Sequence, residues 1–342
     1  MFGVDSSRNA EMDAFWRVEG GDYVCALIAE PAGKLCVAGL GDGTILGLNP
    51  RDGAVLFRHK AHVGSVLSLS LSADGSAFAS SGQDAKAKLW SAGGSLLAEL
   101  PGADSAWVEH IAWSPRGERI STAAGRRVRT FGKDGTLISQ SDPLESSVTG
   151  LAWRADGTAL SAICYGGVHI FPFKDGLNKR HLPFKGSLIS LAWSPDAKVI
   201  ACGSQDCSIH FWRLASGQDS QMTGYPFKPK QLAWDDESRL LATSGHADIT
   251  VWDFRGKGPE GSQPLQLSAH KGLCTSLSFS HRKGMLASGS QDTSILIWQP
   301  RSRLNPVRVA FLETEVTALQ WCDDDRLVLG ADSSGRIVAW KV

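Results

Sequence analysis

The sequence predicts an all-β chain whose short strands form repeated sheets closed into a ring, and three observations carry that expectation. The first is composition. The 342 residues include 37 Gly and 14 Pro, dispersed rather than clustered. Glycine is about one residue in nine, against a usual ~7%, so the chain is turn-rich and folded. The second is the aromatic set, 12 Trp beside only 3 Tyr, which says that indole fills a repeated structural position. The third is a period. Segments 24–48, 66–90, 108–131, 148–171, 188–212, 229–252, 274–298 and 316–340 align with one another, the first being the weakest copy.

Two columns of the alignment account for most of the tryptophan. The residue ending the first strand of each unit is Ala29, Leu71, Trp113, Trp153, Trp193, Trp234, Phe279 or Trp321, at a mean spacing of about 42 residues. The residue ending the third strand is Leu48, Trp90, Phe131, Phe171, Trp212, Trp252, Trp298 or Trp340. Only Trp16 and Trp107 lie outside these columns.

Within a unit, four to seven residues of apolar alternation give a first strand, and a turn such as Ala73-Asp74-Gly75 or Pro195-Asp196 reverses the chain. A second strand (78–81, 200–202), a tight turn, a third strand (86–90, 208–212) and a fourth (96–100) follow. Each sheet is apolar on both faces, so one unit alone leaves surface in water. Stacking units around a ring buries both faces. The expected units are 22–61, 62–104, 105–144, 145–184, 185–225, 226–269, 270–312 and 313–342, within one domain spanning 12–342, after an N-terminal tail of 1–11.

The Ser-Pro-Asp-Gly-like turns, the run Leu286-Ala287-Ser288-Gly289-Ser290-Gln291-Asp292 before a strand ending in Trp298, and the pair Trp252-Asp253 resemble the WD40 repeat family over nearly the whole chain. That resemblance implies a β-propeller. It also implies a buried network of His, Ser or Thr, Asp and Trp, which falls on His62, Ser80, Asp84 and Trp90, and again on His270, Ser288, Asp292 and Trp298. Such a network satisfies polar groups that would each cost ~1–3 kcal/mol if buried unpaired. The fifth unit departs from it, with Phe184 and Cys202 beside Asp206 and Trp212, and the third and fourth carry Phe131 and Phe171.

Eight first-strand columns predict eight four-stranded blades. The last unit stops at Lys341-Val342 after its third strand, and residues 13–19, alternating from Ala14 to Glu19, are expected to supply the missing fourth and close the ring. Seven blades, with the weak first unit outside, is the alternative. The turn Gly41-Asp42-Gly43-Thr44 argues against it.

No nucleophile elbow, P-loop or zinc-protease motif appears, so the expectation is a protein that is not an enzyme and has no cofactor. His62, Ser80 and Asp84 mimic a catalytic triad, yet the same trio recurs in register at His270, Ser288 and Asp292, which a triad has no reason to do. The seven cysteines show no C-x-x-C spacing, and His246, Cys202 and Cys207 have no ligand spacing, so no metal site is expected. Lys+Arg and Asp+Glu are equal at 35 each, which removes the footprint of sequence-independent nucleic-acid binding. The first residues lack a signal peptide's basic start and apolar run, and no stretch approaches a membrane span. A cytoplasmic, monomeric propeller bound neither to nucleic acid nor to membrane is the expectation.

The resemblance places partner docking on the face that carries the loops entering each first strand. It points to Tyr23, Trp107, Lys185, Lys228, Lys271, Leu273 and Glu315, joined by Gln83, Gln205 and Gln291 before the second tight turn. Trp107 is the indole the repeat does not need, and the lysines suggest a basic arc beside an acidic edge at Glu313 and Glu315. The expected function is therefore a protein-interaction scaffold. The stretch from Trp252 through Gly261 also resembles one in bacterial single-domain WD40 proteins encoded beside CobW-like metal-chaperone GTPases, which implies an accessory role in metal homeostasis. A propeller enzyme with a metal or cofactor in its central channel is the remaining alternative. Residues 256–261 are expected to be a mobile surface loop.

Overall fold

A computed structural model describes residues 10–102, 105–176, 178–256 and 258–342. Among them every regular element is a β-strand. The second repeat shows how the sequence sets the local geometry. Val66–Leu71, reading VLSLSL, buries Val66 and Leu69, three positions apart, with a bulge between Val66 and Ser68 shifting the register. Its strand ends where Asp74 caps a turn. Oδ1 accepts hydrogen bonds from the Ser72 hydroxyl at 2.7 Å and the Ser76 backbone N–H at 3.0 Å, while Gly75 takes the positive φ of 67° that the reversal needs. The Ser76 N–H and the Ser72 and Ser76 hydroxyls hold the Asp74 carboxyl down at about 2. Ala77–Gly82, Lys86–Ser91 and Leu96–Pro101 then pair antiparallel in sequence order.

The described strands form seven hydrogen-bonded sheets, not the eight separate ones expected. The difference lies in the fourth and fifth repeats, which share one six-stranded sheet. There Ala159–Pro172 folds back on itself at Gly166 and Gly167, whose φ values are 102° and 131°, and the Phe173 N–H reaches the Thr158 carbonyl across its two ends at 2.8 Å. Arg180–Trp193 then runs unbroken from the outer edge of the fourth repeat to the inner edge of the fifth. Its first half pairs with Ala159–Pro172 and its second half with Val199–Ser204. One extended strand replaces the loop that separates other repeats.

The innermost strands run Val24–Ala29, Val66–Leu71, Val108–Trp113, Gly150–Trp153, the second half of Arg180–Trp193, Leu232–Trp234, Cys274–Phe279 and Val316–Cys322. Each packs beside the next, and Val316–Cys322 packs back against Val24–Ala29. Side chains tie neighbours together: the Trp153 indole N–H donates to Ala112 O at 3.2 Å, the Trp321 indole to Ser278 O at 2.9 Å, and the Thr275 hydroxyl to Val316 O at 2.6 Å. Small residues let the sheets approach. A Cβ on Gly39 or Gly289 would lie 2.5 or 2.4 Å from Cγ1 of Val66 or Val316, the valine opening the next repeat.

The core lies between sheets. Trp321, Trp340 and Val338 pack with Ile295 and Ile297 between the last two repeats, and Phe78 and Trp90 with Leu35, Val37 and Ile45 between the first two. An aromatic of this size hides about 200 Å², or about 5 kcal/mol of gross transfer free energy. Ala14–Glu19 pairs antiparallel with Arg336–Lys341, Ala14 opposite Trp340 and Glu19 opposite Arg336. The expected tail ends earlier than residue 11, because Ala10–Glu11 pairs parallel with Arg308–Phe311 and the Met12 N–H continues to Val309 O at 2.8 Å. Residues 1–9 lie outside the described residues.

Candidate docking face

Two buried networks fix the loops at one end of the ring. In the second repeat, His62 Nδ1 lies 2.9 Å from Asp84 Oδ1 and Nε2 lies 2.8 Å from the Ser80 hydroxyl, which also accepts the Trp90 indole N–H at 2.9 Å. In the seventh, His270 Nε2 meets the Ser288 hydroxyl at 2.7 Å and Trp298 donates to it at 2.8 Å. There the ring's Nδ1 contacts the Ser294 hydroxyl at 2.8 Å, and Ser294 relays to Asp292. Burial of His62 lowers its pKa, keeping the ring neutral, while the His62 contact and the Val63 and Lys86 N–H groups more than offset burial at Asp84 and lower its pKa. Ser80 is fully enclosed, so its hydroxyl is a structural junction with no access for a substrate. The sixth repeat builds the equivalent from Tyr225, whose hydroxyl lies 2.9 Å from Thr243 Oγ1 and accepts the Trp252 indole N–H at 2.7 Å.

With those loops fixed, the two rows of docking residues expected from the sequence become neighbours. The backbone N–H of Gln83, Gln205 and Gln291 donates to the carbonyl of Ser65, Ser187 and Leu273 at 3.2, 2.9 and 3.0 Å. Tyr23 and Trp107 are 43% and 52% exposed, and Lys185, Lys228, Lys271, Gln205 and Gln291 are exposed as well, whereas Gln83, Leu273 and Glu315 are half-buried. Burial, then Glu315, raises the Tyr23 pKa. The acidic edge is weaker than expected, because Glu313 is ion-paired with Arg336, which also holds Glu19 at 2.8 Å.

One place on this face departs from the repeat and opens a groove of 410 Å³. The first strand of the sixth repeat is cut to Leu232–Trp234. Pro226 and Pro229 lack the N–H groups that would continue its pairing; the Phe227 N–H bridges back to Gly245 O at 2.9 Å, and Gln231 exchanges hydrogen bonds with Ser244. The opening is lined by Phe227, Lys228, Lys230, His246, Leu273 and Gln291 among others. Phe227 is 52% exposed and lies parallel to the His246 ring, centroids 6.4 Å apart. The structure thus brings Lys228, Leu273 and Gln291 together and leaves Tyr23, Trp107, Lys185 and Gln83 outside the groove. Phe227, Lys230 and His246 were missed by sequence reasoning, although the run Pro226-Phe227-Lys228-Pro229-Lys230 interrupts apolar alternation and was a legible signal.

The 256–261 segment is anchored, contrary to the expectation of a mobile loop. The Arg213 guanidinium of the fifth repeat clasps the Glu260 carboxylate, one contact being 2.8 Å, and holds its pKa down to about 2. Lys257 lies outside the described residues. The segment lines a cleft of 760 Å³ with Arg239, Arg255 and Arg301. Arg301 is already bound to Asp235 and Glu237 at 2.6 Å each, and Arg255 to Asp253.

Three stretches, 53–91, 179–213 and 261–299, match the family model described as WD domain, G-beta repeat. The chain thus carries three matched WD repeats. Its relatives include telomerase protein component 1 of Mus musculus, 24% identical over 94% of this chain and 11% of that protein. Actin-interacting protein 1 of Caenorhabditis elegans is 22% identical over 88% of this chain and 50% of its own length. The chain thus spans half or less of the length of these relatives. Among solved structures, the computationally designed Ika8 protein matches with a TM-score of 0.81 over 98% of this chain and 100% of that one, at 22% identity. That likeness shows the fold. No helix of this chain, among the described residues, is long and apolar enough to cross a membrane.

Proposed function

We propose that this protein is a non-catalytic scaffold that docks a protein segment on the face carrying Lys228, Leu273 and Gln291, within a cytoplasmic, monomeric ring of eight blades. The observation that carries the docking reading is the groove opened by Pro226 and Pro229. Its Phe227 and Leu273 offer an apolar seat, and Lys228 and Lys230 stand at its rim, a combination suited to an apolar side chain flanked by acidic residues. The eight-blade count is supported by the cycle of innermost strands and by the internal hairpin of Ala159–Pro172. Closure by the N-terminal strand is supported by the pairing of Ala14–Glu19 with the C-terminal strand.

The test is affinity capture from the native cell with wild type, Phe227→Asp, and Trp107→Ala combined with Lys228→Glu. Loss of the same partner from both variants supports the face, and identical partner lists from all three overturn it. If the captured partner were a CobW-like GTPase, retained by the face variants and lost on replacing Glu260, the accessory role suggested by residues 252–261 would stand instead.

A further inference from the structure

At the outer rim of the fourth repeat, Glu145, His169 and His181 each present one ligand atom, all within 4.8 Å of one another. We propose that these three residues bind a divalent transition-metal ion, Zn²⁺ by the chemistry of the set. The inference is independent of the docking groove.

The fold brings the trio together from three elements. Glu145 stands in the connector that enters the repeat, held between Leu144, whose N–H donates to Arg126 O at 2.8 Å, and Val148, whose N–H donates to Gly125 O at 2.8 Å. His169 lies in the returning half of the Ala159–Pro172 hairpin, and His181 stands directly opposite on Arg180–Trp193. Directly opposed residues share a sheet face, and the two imidazoles stack with centroids 4.5 Å apart and planes within 12°.

His169 supplies the second, independent observation. It is 6% exposed, and its Nε2 is enclosed without a hydrogen bond. That nitrogen lies 2.8 Å from Glu145 Oε2, but off hydrogen-bond alignment. The contact is thus an ion-pair contact rather than an aligned hydrogen bond, and the two ligand atoms converge on one point. A metal ion would occupy it.

The remaining neighbours fit. His181 Nε2 lies 3.1 Å from Gly166 O; an N–H bond there fixes the tautomer and leaves Nδ1 with the lone pair, as second-shell carbonyls do for metal-bound histidine. Lys179 is drawn over the Phe171 ring, 5.2 Å from its centroid. The Cys164 thiol lies 3.8 Å from Glu145 Oε2 and donates to Tyr165 O at 3.1 Å. A tetrahedral ion at Zn–N and Zn–O distances near 2.1 Å sets its ligand atoms about 3.4 Å apart. Glu145 and His181 are exposed, so their side chains have room to adjust toward that spacing. Two imidazoles, a carboxylate and an open position suit Zn²⁺, with Cu²⁺ and Ni²⁺ as chemical competitors.

The experiment is calorimetric titration of ZnCl₂ into the untagged full chain after chelator treatment. Wild type is expected to take up one equivalent, His181→Ala and Glu145→Gln to bind at least tenfold more weakly, and His246→Ala to bind as wild type does. Because His169 is buried and its replacement risks unfolding, its role is read from wild type: imidazole NMR signals of His169 and His181 should move on Zn²⁺ addition while those of the other histidines stay. No saturable uptake by wild type, unchanged affinity in His181→Ala, or shifts confined to other histidines would overturn the proposal.

Discussion

At the scale of single residues, the Ser80 hydroxyl has the most dependants. It is buried between the His62 ring at 2.8 Å and the Trp90 indole N–H at 2.9 Å, so removing one oxygen orphans two nitrogens in a place water cannot reach. Each orphan costs ~1–3 kcal/mol, and the two share one cause. Ser80→Ala is therefore expected to lower stability by about 2–4 kcal/mol, read as a reduced urea midpoint at unchanged slope. In the seventh repeat Ser294 bridges His270 to Asp292, and Ser288→Ala should cost a similar amount. A loss below about 0.5 kcal/mol in both variants would show that the hydroxyls are bystanders.

Among elements, the N-terminal strand is the one on which the ring's closure is proposed to depend. Trp16 is 9% exposed, donates its indole N–H to Pro50 O at 2.7 Å, and lies so close over Gly53 that a Cβ there would sit 2.9 Å from the ring. It thus joins the sheet of the last repeat to a turn of the first. Trp16→Ala should cost about 3–5 kcal/mol. Gly53→Ala should destabilise as well, since its φ of 76° disfavours a side chain. Thermal melts of both variants check this, and a wild-type melting temperature for Trp16→Ala would remove the strand from the closure. Alternation in Ala14–Glu19 made this strand legible in the sequence, as the period made the repeats legible and the WD40 resemblance the two His-Ser-Asp-Trp sets. The shared sheet of repeats four and five was not, because strand continuity through Arg180–Trp193 leaves no compositional mark. The metal-ligand trio was hidden for a related reason: Glu145, His169 and His181 have no ligand spacing in sequence and meet only through cross-strand register. The groove at Phe227 falls between these cases, since its prolines are visible but the space they open is not.

On the scale of the whole molecule, the cycle of innermost strands makes each position around the ring locally alike, and the site of the chain break becomes arbitrary. The third strand of the last repeat, Arg336–Lys341, and Ala14–Glu19 directly oppose each other, with Ala14 beside Trp340. A short linker can therefore join these two strands. The matching place in the fifth repeat is the turn at Ser216-Gly217, between Ile209–Arg213 and Gln218–Met222, where Gly217 has no atom within 4 Å of a would-be Cβ. A circular permutant beginning at Gly217 would move the same clasp to the fifth repeat, with Gln218–Met222 as its N-terminal strand. No buried hydrogen bond is cut, and loop entropy changes little, so the permutant should unfold in a single transition within about 3 °C of wild type, a difference of about 1–2 kcal/mol. Moving the break to the Gly166-Gly167 turn, inside the hairpin of the shared sheet, places it between Leu182 O, 2.1 Å from a would-be Gly167 Cβ, and the stacked His169 and His181, and should cost markedly more. Equal stability of the two permutants, or two separate unfolding transitions in the first, would refute a closed ring of equivalent units.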